Sequence, residues 1–267
     1  MSTTPSGYAL ITGASSGIGA EIAREYARRG VPLILTARRV ERLEALAAEL
    51  RAQVPVDVIP ADLAVADAPA QLCEAIRARG LAVRILVNNA GYGVVGRYPS
   101  SDWPVHAQFL QVMVGSVCEL TWRLLPSLRS FPDGRILNVA SLAGLMPSAD
   151  GQTLYAPVKA FLIKFSESLA QENADRGLKV SALCPGFTYS EFHDVTGTRA
   201  MMSKLPKGLW LQADTVARAG IDGMERGRVI VVPGWRYKLL HEVTRHLSDQ
   251  VRFRLMGRNS SKIRKAD

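Results

Sequence analysis

The sequence predicts an α/β fold: a doubly wound sheet of about seven parallel strands with helices on both faces. Three observations carry this. Short β-rich apolar runs alternate with longer segments of helical period. Gly30, Gly80 and Gly177 stand where helices should stop. A glycine-rich stretch, Thr12-Gly13-Ala14-Ser15-Ser16-Gly17-Ile18-Gly19, joins the first apolar run to the first helical one.

In chain order, a strand is expected over Tyr8 to Thr12 and a helix over Gly17 to Arg29, ended by Gly30. A strand at Pro32 to Ala37 leads to a helix at Val40 to Arg51, and a strand at Val56 to Pro60 to a helix at Ala68 to Ala78. The strand Ile85 to Asn88 precedes a long helical stretch, Val105 to Leu128, and then the strand Arg135 to Val139. A helix at Tyr155 to Asp175, ended by Gly177, precedes the strand Lys179 to Cys184. The helix Ala213 to Arg226 and the strand Arg228 to Val232 complete the alternation. Two regions break it: residues 187–212, and a basic tail after Pro233. Ligands of open α/β sheets bind beyond the carboxyl ends of the strands, so residues 187–212 are placed to cover a site.

A chain of 267 residues fits one α/β domain with a large core. The expected division is a core over residues 7–232 and a basic C-terminal extension over 233–267. No stretch approaches the roughly 20 apolar residues of a membrane span, and the first residues lack the pattern of a signal peptide. A cytoplasmic protein is therefore expected. Cys73, Cys118 and Cys184 form no CxxC and no zinc-ligand spacing, so they read as buried thiols, with no metal site. The net charge of +9 is concentrated at one end, since residues 235–267 hold nine basic residues and three acids. No RNP-like motif, zinc finger or helix-turn-helix spacing accompanies them, which argues against nucleic acid as a partner.

The glycine-rich segment carries the first chemistry. Glycines at 13, 17 and 19 let the backbone turn, approach a pyrophosphate and pack closely, while the next helix aims free N–H groups and its positive dipole end at the anion. Tyr155 and Lys159, at i and i+4, leave one face of a helix. A phenol titrates at about pH 10, too high for proton exchange near neutrality, and an adjacent ammonium is expected to lower it. Ser141, in Asn138-Val139-Ala140-Ser141-Leu142-Ala143-Gly144, is placed at a strand end to hydrogen-bond an oxygen that changes charge.

Together, TGASSGIG at 12–19, NNAG at 88–91, Ser141, YAPVK at 155–159 and PGFTYS at 185–190 resemble, in order and spacing, the short-chain dehydrogenase/reductase family over roughly residues 7–232. The resemblance implies a Rossmann-type, nicotinamide-dependent oxidoreductase that assembles as a homodimer or homotetramer. It implies Tyr155 as general acid/base, Lys159 as its partner and ribose ligand, and Ser141 as orienter of the substrate carbonyl. The cofactor would be held by Gly13, Ser15, Ser16, Gly17, Ile18 and Gly19, with Asp62 and Leu63 at the adenine and Asn89, Ala90 and Gly91 on the adenosine side. Pro185, Gly186, Thr188 and Ser190 would face the nicotinamide. Three departures stand out. Met113 occupies the place of a usual Asn, which puts the proton relay in doubt. Ser141 precedes Tyr155 by fourteen residues, one more than usual, and Pro157 within YAPVK is unusual.

Cofactor choice is read after the second strand, where Ala37 fills the usual acidic position of NAD-binding chains and Arg38, with Arg39 beside it, offers donors to a phosphate. NADP(H) is expected over NAD(H). The covering segment holds Phe187, Phe192, Val195, Met201, Met202, Leu205, Leu209, Trp210 and Leu211, which suits a small apolar carbonyl or alcohol substrate. In the tail, Trp235, Tyr237, Leu239, Leu240, Val243 and Leu247 alternate with Arg236, Lys238 and Arg245. Packing over the active site or on a second subunit is favoured there over contact with a membrane surface. A cofactor-binding regulator and an interaction protein built on the basic tail stay open as alternatives.

Overall fold

A computed structural model describes residues 7–251 apart from 149, 152, 192–205 and 249. Seven strands, all parallel, form one sheet in the order β3-β2-β1-β4-β5-β6-β7. They are β1 (Tyr8–Thr12), β2 (Leu33–Thr36), β3 (Val56–Val58), β4 (Val83–Asn88), β5 (Arg135–Val139), β6 (Lys179–Leu183) and β7 (Ile230–Val231). The central strands are buried along nearly their whole length, as a sheet covered on both faces requires. The strand order reverses between β1 and β4, which opens a crevice at their carboxyl ends.

The helices are α1 (Gly17–Arg28), α2 (Val40–Leu50), α3 (Ala68–Ala78), α4 (Trp103–Leu110), α5 (Ser116–Ser130), α6 (Tyr155–Glu172), α7 (Ala213–Glu225) and α8 (Trp235–Arg245). One face of the sheet is covered by α1, α2 and α7 through Ile22, Tyr26, Leu43, Val216 and Ile221. The other face carries α3, α5 and α6 through Leu72, Ile76, Leu120, Leu124 and Leu169. Gly30, Gly80 and Gly177 close their helical segments at φ of 73°, 67° and 70°, a left-handed conformation glycine adopts without strain.

Two expectations change. The stretch Val105 to Leu128 is two helices joined by a wider π turn over Gln111–Gly115, where Ser116 Oγ donates to the Val112 carbonyl at 2.8 Å. Of the three thiols, Cys184 alone is buried, while Cys73 and Cys118 are half-buried on the flanks of α3 and α5. No described helix is long and apolar enough to cross a membrane.

Candidate active site

The glycine loop is built from the end of β1. Gly13 and Gly17 lie at φ of 64° and 55°. A Cβ on Gly13 would stand 2.8 Å from Ala90 Cα, so that glycine lets the loops after β1 and β4 touch. Thr12 Oγ1 accepts from the N–H groups of Asn89 (2.9 Å) and Ala90 (3.0 Å), and Asn89 Nδ2 donates to the Thr12 carbonyl at 2.9 Å. Ser16 precedes α1 in extended conformation without capping it, so the first-turn N–H groups face the crevice. Gly19 alone of the expected cofactor residues does not reach the cleft. It is buried behind the loop, where a Cβ would come within 2.5 Å of the Gly13 carbonyl oxygen.

All the other expected residues line one cleft of about 710 Å³. It joins Gly13, Ser15, Ser16, Gly17 and Ile18 to Arg38, Asp62, Leu63, Asn89, Ala90 and Gly91. Its far end holds Ser141, Tyr155, Lys159, Pro185, Gly186, Thr188 and Ser190. Residues that sequence reasoning did not assign also line it, among them Tyr92, Met146, Pro147, Glu191, Tyr237 and Leu240. Nothing in the local sequence of Met146 or Pro147 marks them, because the turn after Ser141 alone brings them to the rim.

Ser141 follows β5 and accepts from the Ala143 N–H at 3.1 Å, while the Leu142 N–H donates to the Pro185 carbonyl at 2.9 Å. Gly144 lies flat on α6, where a Cβ would sit 2.6 Å from the Lys159 carbonyl carbon. This close approach sets Ser141 beside Tyr155, the first residue of α6, and the two side chains hydrogen-bond. Pro157 falls in the first turn of α6, where its missing N–H costs no helical bond. Lys159 is 6% exposed, donates to the Val139 carbonyl at 2.8 Å and lies 5.7 Å from the centre of the Tyr155 ring.

The electrostatics differ from the expectation. Burial pushes the Tyr155 phenol up to about 12, against the lowering influence of the Ser141 hydrogen bond. The ammonium is engaged by a backbone carbonyl, and burial pulls it down to about 8. Tyr155 thus keeps its proton at neutral pH.

At the other end, Arg39 closes over the glycine loop. Its Nη2 donates to Ser15 Oγ (3.1 Å) and Ser16 Oγ (2.7 Å), and its Nη1 to Glu191 Oε2 at 2.9 Å. Arg42 Nη1 donates to Glu191 Oε1 at 2.5 Å. Arg38 lines the cleft, exposed, with no ion-pair partner among the described residues. Asp62 Oδ1 accepts from the Ala64 N–H at 3.1 Å.

The profile of the short chain dehydrogenase family matches residues 7–199. The chain belongs to the short-chain dehydrogenase family. It is 37% identical to the sulfoacetaldehyde reductase of Chromohalobacter salexigens over 68% of this chain and 73% of that protein. The structure of a short-chain dehydrogenase from Sphingobium yanoikuyae in complex with NADPH superposes with a TM-score of 0.80 at 31% identity, covering 98% of this chain and 97% of that one. The bulky-bulky ketone specific alcohol dehydrogenase from Comamonas testosteroni gives a TM-score of 0.75 at 30% identity, over 98% and 96% of the two chains. This dehydrogenase is accordingly an oxidoreductase of CH–OH and C=O groups that uses a nicotinamide cofactor. The cleft fits such a group: the glycine loop leaves room and N–H donors for a diphosphate, and Thr36 Oγ1, buried on the cleft wall, has no partner among the described residues.

The dehydrogenase's outer wall comes from late in the chain. Phe187 and Tyr189 pack on Trp210, with Tyr189 stacked at 4.8 Å between ring centres. Tyr237 of α8 accepts from the Phe187 N–H at 3.1 Å and donates to the Leu209 carbonyl at 2.5 Å, its ring lying flat on Gly186. The tail thus begins by packing over the site, while Trp235, Leu239 and Val243 stay exposed. Phe192, Val195, Met201, Met202 and Leu205, and the tail's basic residues from Arg252 onward, lie outside the described residues. Met113, 1% exposed, packs with Phe109 and Val158 behind Tyr155, and its Sδ would be 2.7 Å from a Cβ on Gly91. Where the family's Asn would bring an amide, this chain has an apolar plug. Among the described residues no group of His, Cys, Asp or Glu is arranged to hold a metal.

Proposed function

We propose that this enzyme reduces a bulky apolar ketone with NADPH. The observation that carries this reading is one cleft with an arginine cluster at one end and a hydrogen-bonded Ser141–Tyr155 pair at the other. Bound there, the cofactor would supply the hydride. Gly13, Ser15, Ser16, Gly17 and Ile18 would receive the diphosphate, and Asp62, Leu63, Asn89, Ala90 and Gly91 the adenosine. Pro185, Gly186, Thr188 and Ser190 would border the nicotinamide. Ala37 leaves room and no opposing charge for a 2′-phosphate, and Arg38 and Arg39 supply charge-assisted donors to it.

At neutral pH the Tyr155 phenol, held up at about 12, keeps its proton and gives it from Oη to the carbonyl oxygen as that oxygen gains charge. The Ser141 hydroxyl orients the same oxygen. The buried Lys159 ammonium, anchored on Val139, stabilises the phenolate left behind and offers donors to ribose hydroxyls. Phe187, backed by Trp210, and Met146 and Leu240 line the cleft and favour hydrocarbon over a charged substrate. Trp122 on α5, 70% exposed, and Phe161 on α6 support self-association into a homodimer or homotetramer. Met113 favours a second reading, a catalytically weakened cofactor-binding regulator. Purified protein with NADPH and a panel of aryl and alkyl ketones separates the two. Oxidation of NADPH that vanishes in Tyr155→Phe is the expected result, and no turnover with any ketone by a folded, NADPH-binding protein would install the regulator.

A further inference from the structure

We propose that Glu191 is an internal stand-in for the cofactor's 2′-phosphate and a specificity-determining residue, setting how far the enzyme prefers NADPH to NADH. The inference rests on the arginine end of the cleft being the 2′-phosphate site. Glu191 arrives from the connection after β6, 152 residues from Arg39 and 149 from Arg42 in sequence, yet its two carboxylate oxygens each take one of these guanidinium groups. The separations are 2.9 and 2.5 Å. A carboxylate with one oxygen on each of two arginines uses the donors that planar phosphate recognition uses. The remaining donors of Arg39 are already directed at Ser15 and Ser16, at the mouth of the glycine loop. Glu191 itself lines the cleft, so the anion is a neighbour of any bound nucleotide.

Two anions cannot share this pair of arginines without repulsion. A 2′-phosphate must take Arg39, the one of the two that lines the cleft, from Glu191, whereas the 2′-hydroxyl of NADH makes no such demand. The Glu191 side chain is 38% exposed and can turn to water, so displacement costs no more than exposed ion pairs are worth. Arg38, which pairs with no acid among the described residues, remains to attract the phosphate first. Glu191 therefore lowers the preference for NADPH without abolishing it, by about three- to tenfold.

The test is fluorescence titration of the full chain with NADPH, NADH, adenosine 2′,5′-bisphosphate and 5′-AMP, on wild type, Glu191→Gln, Glu191→Ala, Arg38→Ala, Arg39→Ala and the double variant Glu191→Gln/Arg39→Ala. Removing the carboxylate should tighten NADPH and the bisphosphate about three- to tenfold and shift NADH and 5′-AMP less than twofold, and the gain should disappear when Arg39 is also gone. If both Glu191 variants leave the NADPH to NADH ratio unchanged or lower it, while Arg39→Ala reduces NADPH selectively, Glu191 merely braces Arg39 and the inference is overturned. If Arg39→Ala and Arg38→Ala each weaken the two cofactors equally, the phosphate site itself is misassigned, and that failure reads separately.

Discussion

The floor of the cleft and its outer wall are held by different means. On the floor, Ser141 is fixed by the Ala143 N–H, Lys159 by the Val139 carbonyl, and Tyr155 by the start of a helix that lies on Gly144. These anchors are main chain of β5, its following turn or α6, and the Ser141–Tyr155 hydrogen bond is made between the groups they hold. The wall has a short main-chain bridge, in which the Leu211 N–H donates to the Phe187 carbonyl and the Tyr189 N–H to the Leu211 carbonyl, both at 2.9 Å. Its ties to α8 and its stacking are made by side chains, the two hydrogen bonds of Tyr237 and Tyr189 on Trp210, and the outer face of α8 is open, with Trp235 69% exposed. Main-chain anchoring keeps proton-transfer geometry fixed whatever side chains change nearby. Side-chain anchoring lets the substrate face vary without disturbing the chemistry.

The most severe way to break the floor is Tyr155→Phe, which deletes one hydroxyl. Turnover should fall by about 10² to 10⁴ while NADPH binding and the melting temperature hold. Steady-state rates beside a cofactor titration and a thermal melt check this, and a near wild-type rate would refute the proton-donor role. Arg38→Ala tests the nucleotide end. Loss of a charge-assisted bond to phosphate is worth about 1.5 to 3 kcal/mol, so NADPH should weaken about ten- to a hundredfold and NADH little.

The pH profile separates the two titrating groups of the floor. Lys159, held down to about 8, carries its charge below that pH and loses it above, while Tyr155 at about 12 stays protonated throughout. Ketone reduction should be level from pH 6 to 8 and then fall, approaching about tenfold per pH unit if the ammonium is required. A profile flat to pH 10 would show that the ammonium is dispensable. The wall is probed most gently by Tyr237→Phe, which removes a donor and an acceptor at about 1 kcal/mol each. KM for a bulky ketone should rise severalfold with cofactor affinity unchanged, and equal effects on both would erase the distinction between floor and wall.

The floor was legible because its residues are close in sequence or fixed by short spacings. Tyr155 and Lys159 share a helix face, and Ser141 ends a strand whose apolar run is unmistakable. Alternation likewise placed all seven strands, since a buried parallel sheet leaves continuous apolar runs. What escaped depends on distance. Tyr237 reads as part of an irregular basic tail until the fold sets it on Gly186, fifty-one residues earlier. Nothing in the sequence around Glu191 points to Arg39 and Arg42, which meet it only in the fold. Helical spacing gives the proximity of Lys159 to Tyr155 but not the Val139 carbonyl that its ammonium also meets.

Tyr237 also imposes an order on assembly. The glycine loop and the strand ends on which the nucleotide would rest come from residues up to 190, and with α7 packed behind α1 they can be complete before α8 is synthesised. The outer wall cannot, because Phe187 and Leu209 receive their shared clasp only when residues 235–245 have been synthesised and folded back. A nascent dehydrogenase therefore owns a nucleotide cradle before it owns a substrate chamber.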